Sequence, residues 1–107
     1  MARAKARDGI IVNVSAEVEG VWVFNGDGGR FAGGLFTSRE TAEAWIAANK
    51  LDGVLTLYPL DTGVYEWAIA TGKFTPKKEE HSLPRFIGSF TTASMAHHHY
   101  EQGTCRT

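Results

Sequence analysis

The sequence predicts one α+β domain, in which an antiparallel or mixed sheet of four to five strands carries two to three helices packed on one face. Three observations lead to this fold class. The length of 107 residues is typical of a single domain. Asn-Gly and Asp-Gly pairs between two β-rich runs favour a hairpin, and a segment with helical periodicity follows directly. Because a hairpin joins antiparallel strands, the sheet is expected to be antiparallel at least in part.

The chain is expected to divide into a disordered basic leader over 1–8, a single domain over 9–103 and a disordered tail over 104–107. Within the domain, residues 10–14 are predicted to form a short strand and residues 16–20 a turn. The apolar part of the first 14 residues is too short for a secretory signal, which needs about 7–15 apolar residues.

The hairpin is the strongest local signal. Residues 21–24 and 30–36 are rich in β-branched and aromatic side chains, and residues 25–29 between them contain the two turn pairs. The adjacent Gly33 and Gly34 weaken the second strand and indicate a bulge.

A helix over 38–50 is predicted next. Thr37 is expected to be its N-cap, with Glu40 reaching back to complete a capping box. The apolar positions recur at helical spacing, which makes Trp45 the main core anchor of this helix, while Glu43 falls on the solvent side.

Residues 54–58 are predicted to form a strand that ends at a proline. Asp61 or Thr62 is expected to cap a second helix over 64–71, and Gly72 is placed to end that helix in the left-handed conformation.

The C-terminal third is predicted as a charged loop over 77–84, a last strand over 85–90 and a third helix over 93–102 that ends at Gly103.

Charge and cysteine content exclude several classes of protein. A formal net charge of −1 gives no electrostatic basis for binding nucleic acid. No run approaches the roughly 20 apolar residues of a membrane span. Cys105 is the single cysteine, so no intrachain disulfide can form, and a reducing, cytoplasmic location is expected.

No cofactor, metal or catalytic residue is predicted. The glycine-rich stretch 26–34 returns into a strand, whereas a phosphate-binding loop opens a helix. The three histidines 97–99 fall in the predicted third helix, where consecutive side chains point about 100° apart and cannot share one metal ion. His97 and Glu101 do have i, i+4 spacing, and His81 in the preceding loop is the remaining candidate ligand.

Tyrosines next to acidic residues form the candidate partner-binding set, because aromatic and polar side chains together are typical of protein interfaces. The set comprises Tyr58, Asp61, Tyr65, Glu66, His99, Tyr100 and Glu101.

Four segments carry a resemblance to a known family. They are Val21-Trp22-Val23-Phe24-Asn25-Gly26 with Gly29-Arg30-Phe31; Gly34-x-Phe36-x-Ser38-x-Glu40-x-Ala42-Glu43-x-Trp45-Ile46; Leu55-Thr56-x-Tyr58-Pro59-x-Asp61-x-Gly63-x-Tyr65-x-Trp67-Ala68-Ile69; and Phe86-Ile87-Gly88-x-Phe90 with His97-x-His99-Tyr100-Glu101. On these segments, residues 21–103 resemble a family of small, mostly bacterial domains of unknown function. Glu66 stands where the resemblance leads one to expect Asp. The resemblance implies the domain boundaries but no activity.

The function expected from these observations is non-enzymatic binding of a protein partner. Small stand-alone bacterial domains of this kind include immunity proteins that neutralise toxins, so an immunity-type role is the specific form of this expectation. One alternative is a small metal- or ligand-dependent enzyme that uses His97, His99 and Glu101 with His81. The other is a homo-oligomeric accessory protein, a homodimer being the simplest case.

Overall fold

The structure is a computed structural model that describes residues 20–107. The predicted leader over 1–8, the strand over 10–14 and nearly all of the turn over 16–20 lie outside these residues. The described part contains β1 (Gly20–Gly26), β2 (Gly34–Phe36), α1 (Arg39–Ala48), β3 (Gly53–Pro59), α2 (Val64–Ala70), a 3-10 helix (Glu79–Ser82), α3 (Pro84–Gly88), β4 (His97–Glu101) and β5 (Thr104–Cys105).

The strands form one sheet in the order β2-β1-β3-β4-β5, and every neighbouring pair is antiparallel. β1 and β3 pair along their whole length, from Gly20 opposite Pro59 to Gly26 opposite Gly53. The predicted α+β class with an antiparallel sheet is therefore confirmed.

The β1–β2 hairpin is confirmed, although its second strand is shorter than predicted. β2 covers residues 34–36 rather than 30–36. Asn25 and Gly26 belong to β1 instead of the turn, because they pair with the start of β3. At the other end of the loop, the Gly33 N–H donates to the Phe24 carbonyl at 2.7 Å.

Helix α1 begins at Arg39, one residue later than the start predicted with Thr37 as the N-cap. Ser38 is the N-cap, and its Oγ accepts a hydrogen bond from the Thr41 N–H at 3.1 Å. The prediction of Thr37 as N-cap, with Glu40 completing a capping box, is wrong. Both hydroxyl residues suit an N-cap chemically, and the extended backbone of Ser38 selects it.

β3 and α2 agree with the predicted elements, but the cap of α2 does not. Gly63 is the N-cap, and it has no side chain to accept a hydrogen bond. Asp61 lies in the loop before it with a φ of 56°, so neither Asp61 nor Thr62 caps the helix. Gly72 follows α2 with a φ of 77°, as predicted.

All three elements predicted for the C-terminal third are wrong. Residues 85–90, predicted as a strand, contain the short helix α3, which begins at Pro84, a residue favoured in the first turn of a helix. The predicted loop over 77–84 contains the 3-10 helix.

Residues 93–102, predicted as a helix, contain β4. Gln102 and Gly103, with φ values of 49° and 82°, form a two-residue turn into β5. Two successive positive φ values are typical of the hairpin turn whose twist matches its strands. Thr104 and Cys105 therefore lie in a paired strand, within the stretch assigned above to a disordered tail.

The main core lies between α1 and the sheet. Its buried residues are Phe24, Ala42, Ile46, Leu55 and Tyr100. Trp45, the predicted anchor, is only partly buried and packs its ring against Phe24 and Phe36, with ring centroids 5.5 and 5.3 Å away. Ile46 and Leu55 are the largest side chains that are fully buried.

Within residues 20–107, no helix combines the length and the apolar character needed to cross a membrane.

Candidate functional site

The two faces of the sheet differ in how they are covered. Side chains alternate along each strand, so Leu55 of β3 faces α1 and is fully buried, while its neighbours Val54 and Thr56 face away and are half-buried. We call the side opposite α1 the outer face. Its members from β1, β3 and β4 are Val21, Val23, Asn25, Val54, Thr56, Tyr58, His97, His99 and Glu101.

The outer face continues onto the edge strand. Leu35 of β2 stands opposite Val23 of β1 and therefore points to the same side. Its side chain is 63% exposed. The described part of the chain therefore leaves the apolar surface of Leu35 in contact with solvent, next to the half-buried Val23.

A groove of about 190 Å³ lies at one end of the outer face. It is lined by Val54, Thr56, Tyr58, Thr91, Thr92, Ala93, Met95 and His97. Sites for cofactors and drug-sized ligands usually enclose about 300–1,000 Å³. The groove is therefore of a size for one protruding side chain or a very small molecule.

Three of the predicted partner-binding residues lie on the outer face, but they do not meet there. Tyr58 lines the groove at one end, His99 lies further along β4, and Glu101 lies at the opposite end of the strand. The other two tyrosines of the set are buried elsewhere: Tyr100 is 3% exposed and faces α1, and Tyr65 is 9% exposed. The predicted set is therefore not one continuous surface.

The remaining two predicted residues are exposed and acidic. Asp61 lies in the loop after β3, and Glu66 lies in the first turn of α2. Both are accessible to a partner.

A polar network links α1 to β4 on the opposite side of the sheet. The Tyr100 hydroxyl donates to Glu43 Oε2 at 2.6 Å, and Arg39 Nε donates to the same oxygen at 3.1 Å. The hydrogen bond from Tyr100 lowers the pKa of the Glu43 carboxyl; burial opposes this shift, and Arg39 adds to it. Burial, followed by the bond to Glu43, raises the pKa of the Tyr100 hydroxyl. Sequence reasoning placed Glu43 on the solvent side, and no local pattern signals its distant partner.

His81 lies in a second cluster of rings, away from the other residues considered as alternative metal ligands. Its imidazole packs on Phe86 and Phe74, with centroids 4.8 and 5.3 Å away. Its Nδ1 accepts hydrogen bonds from the backbone N–H groups of Lys77 and Lys78. Among residues 20–107, no group of three or more His, Cys, Asp or Glu side chains is arranged to hold a metal ion. His81 therefore does not join His97, His99 and Glu101, contrary to the arrangement considered above.

Two larger concavities lie elsewhere. The first, of about 510 Å³, is lined by Glu80, Arg85, Phe86 and Ser89. The second, of about 330 Å³, is lined by Asp27, Asp52, Glu101, Gln102 and Arg106. In the second, Asp52 accepts from the Gln102 N–H, and Arg106 pairs with Glu101 at 3.3 Å, so three of its charged side chains have partners within the chain.

The fold and these surfaces define a small α+β domain with a five-stranded antiparallel sheet, a helix packed on one face and an apolar, histidine-bearing surface on the other. Residues 21–106 match the family described as Domain of unknown function (DUF7710), and the chain belongs to that family. The resemblance to an uncharacterised family of small domains is thereby confirmed. Neither a curated protein nor a solved structure matches the chain significantly.

Proposed function

We propose that this chain is a non-enzymatic, protein-binding domain whose partner docks on the outer face of the sheet. The observation that carries the proposal is the contrast between the two faces: Leu55 is fully buried beneath α1, whereas Leu35 on the outer face is 63% exposed. Removing such apolar surface from water contributes about 25 cal/mol per Å², which a docked partner would gain.

The composition of the outer face supports a protein as the partner. Val23 and Leu35 provide apolar surface towards the β2 edge, and Thr56, Tyr58 and His99 add hydroxyl and imidazole groups that form hydrogen bonds. Interfaces with this mixture usually depend on one or two side chains that fill a small pocket. The groove beside Tyr58 has the right volume for one such side chain.

An immunity-type role is the finer form of the proposal, with a toxin enzyme as the partner. Asp61 and Glu66 are exposed carboxylates that would attract a basic active-site surface and speed association. In this form, the double variant Asp61→Lys/Glu66→Lys associates more slowly with the toxin. An unchanged association rate would remove these two residues from the interface.

Self-association is a second candidate, supported by two exposed side chains at the β1–β2 end of the sheet. Phe31 is 79% exposed and Leu35 is 63% exposed, and a homodimer would bury both. Light scattering over a concentration series separates this candidate from binding of a different protein.

Affinity capture from the source organism's lysate, with matched variants as bait, tests the main proposal. Leu35→Lys and Thr56→Lys place charge on the outer face. Ile69→Lys makes the same kind of change at a side chain that is 39% exposed on α2. We expect one stoichiometric partner to bind the wild type and Ile69→Lys but not the two outer-face variants. A partner that all three variants retain would place the interface elsewhere, and the absence of any partner together with a monomer in light scattering would overturn the proposal.

A further inference from the structure

The three consecutive histidines do not share one side of the chain. Because β4 is a strand, His97 and His99 point to the outer face, whereas His98 points to the α1 side with Tyr100. The helical assignment made from sequence had separated His97 and His99 by about 200° around an axis. Strand geometry places the two imidazoles next to each other.

The ring of His97 is oriented by a backbone group. Its Nδ1 lies 2.8 Å from the Met95 carbonyl oxygen, which can only accept a hydrogen bond. Nδ1 therefore carries a proton and donates it, so the neutral form of this ring has its lone pair on Nε2. Metal-binding histidines almost always donate their second ring N–H to a carbonyl or carboxylate in this way.

The spacing of the two rings fits a shared ion. The centroids of His97 and His99 lie 5.2 Å apart, and the ring planes are 81° apart. Two imidazoles bound to one tetrahedral ion at a metal–nitrogen distance of about 2.0–2.1 Å have centroids about 5 Å apart. The same spacing is also typical of an edge-to-face contact between two rings without an ion, and titration with Zn²⁺ distinguishes the two cases.

The surroundings leave room for an ion and for its remaining ligands. His99 is exposed and His97 is half-buried, and their cross-strand neighbours are Val54 and Thr56 on β3. On the β5 side, Arg106 lies next to His99, since its N–H donates to the His99 carbonyl at 2.7 Å, but its guanidinium is paired with Glu101 at 3.3 Å. Because His99 is exposed, water can reach an ion bound to its ring.

We propose that His97 Nε2 and a ring nitrogen of His99 form a two-histidine site for a divalent transition ion of the kind that prefers imidazole, such as Zn²⁺ or Cu²⁺. Water completes the coordination shell in the isolated protein. The proposal does not rest on protein binding at the outer face, since the ion needs only the two histidines.

Isothermal titration of the full-length chain with Zn²⁺ tests the site. The wild type is expected to bind one ion per chain, and His99→Ala to weaken binding by about tenfold or more, since even the loss of an outer-shell partner costs about 10–100-fold. His97→Gln is expected to have the same effect. His98→Asn is the matched control, because it removes the imidazole between His97 and His99 without changing the outer face. This variant should keep the wild-type affinity for Zn²⁺ within about twofold. Thermal unfolding without metal checks that each variant is folded.

Cu²⁺ broadening of amide NMR signals locates the ion. The signals of Thr56 and His99 should broaden first, and that of Ala42, which is buried beneath the opposite face, should broaden last. No Zn²⁺ binding by the folded wild type would overturn the proposal. Equal losses in His98→Asn and His99→Ala, or first broadening at His81, would assign the binding to histidines other than the pair and overturn it as well.

Discussion

Tyr100 and Glu43, 57 positions apart in the chain, are joined by a hydrogen bond of 2.6 Å from the tyrosine hydroxyl to the carboxylate. This bond joins β4 to α1. It lies at the edge of the core, in which the Tyr100 side chain is buried and only 3% exposed. Arg39 donates to the same carboxylate oxygen from one turn earlier on the helix. The network therefore stabilises the packing of the C-terminal hairpin against the rest of the fold.

Replacing Tyr100 by Phe should lower the free energy of unfolding by about 1–2 kcal/mol. A hydrogen bond to a charged group contributes about 1.5–3 kcal/mol, and the partial exposure of Glu43 reduces that figure. Chemical denaturation of Tyr100→Phe measures the effect. Tyr58→Phe, which makes the same change in the outer-face groove, should alter the unfolding free energy by less than about 0.5 kcal/mol. Equal effects of the two variants would show that the bond to Glu43 contributes little.

Glu43 should also make stability depend on pH at the acid end. Its pKa is lower in the folded protein, chiefly through the Tyr100 hydrogen bond, than in the unfolded chain. The corresponding stabilisation is complete above the unfolded pKa, which is about 4.3 for glutamate, and it is lost as the pH falls through the folded pKa. The stability difference between the wild type and Glu43→Gln should therefore shrink on acidification from about pH 6 to pH 3.

The matched control for this titration is Glu43→Gln in the Tyr100→Phe background, which lacks the hydrogen bond that chiefly lowers the pKa of Glu43. In that background, the stability difference caused by Glu43→Gln should change less with pH. A difference for Glu43→Gln that stays constant over the whole range would contradict the lowered pKa.

Two alanine variants test which residue is the N-cap of α1. Ser38→Ala removes the acceptor for the Thr41 N–H and should cost about 1 kcal/mol of stability. Thr37→Ala, at the residue that sequence reasoning favoured, should have an effect of only a few tenths of a kcal/mol. Urea unfolding of the two proteins side by side provides the measurement, and the opposite ranking would restore Thr37 as the cap.

Two glycines with similar backbone angles should respond differently to alanine. Gly72 and Gly103 have φ values of 77° and 82°. A Cβ on Gly72 would meet nothing within 4 Å, whereas one on Gly103 would lie 3.0 Å from Lys50 Cα and 3.1 Å from Ala47 Cα. Gly72→Ala should therefore cost only the left-handed strain, about 1–2 kcal/mol. Gly103→Ala adds a clash with the end of α1, and its melting temperature should be clearly the lower of the two.

The imidazole of His81 should carry its proton on Nε2. Its Nδ1 accepts from the N–H groups of Lys77 and Lys78 at 2.9 and 3.2 Å, which requires an unprotonated nitrogen. Nitrogen-15 chemical shifts of the histidine rings at neutral pH report the tautomer directly. His97, whose Nδ1 faces a carbonyl, should show the opposite tautomer in the same spectrum. Identical tautomers for the two rings would contradict one of these two hydrogen-bond assignments.

Local sequence patterns determined the first half of the fold. The turn pairs around Gly26 predicted the β1–β2 hairpin, the apolar spacing around Ile46 predicted α1, and the glycine at position 72 predicted the end of α2. In each case, the interactions that set the structure lie within a few residues of one another, so the sequence displays them. The caps were less certain because Thr37, Ser38 and Asp61 all have suitable side chains, and only the backbone path selects among them.

Tertiary structure decided the last third and, with it, the candidate site. Residues 97–101 have no strong local preference for a strand, and they become β4 because β3 offers them a hydrogen-bonding edge more than 40 positions earlier in the chain. That pairing turns Tyr100 towards Glu43 and brings His97 and His99 together on the outer face. By itself, the sequence determined an α+β domain with a hairpin and a capped helix. Only the long-range pairing of β3 with β4 decided which side chains meet, because strand partners are chosen by contacts that no local window contains.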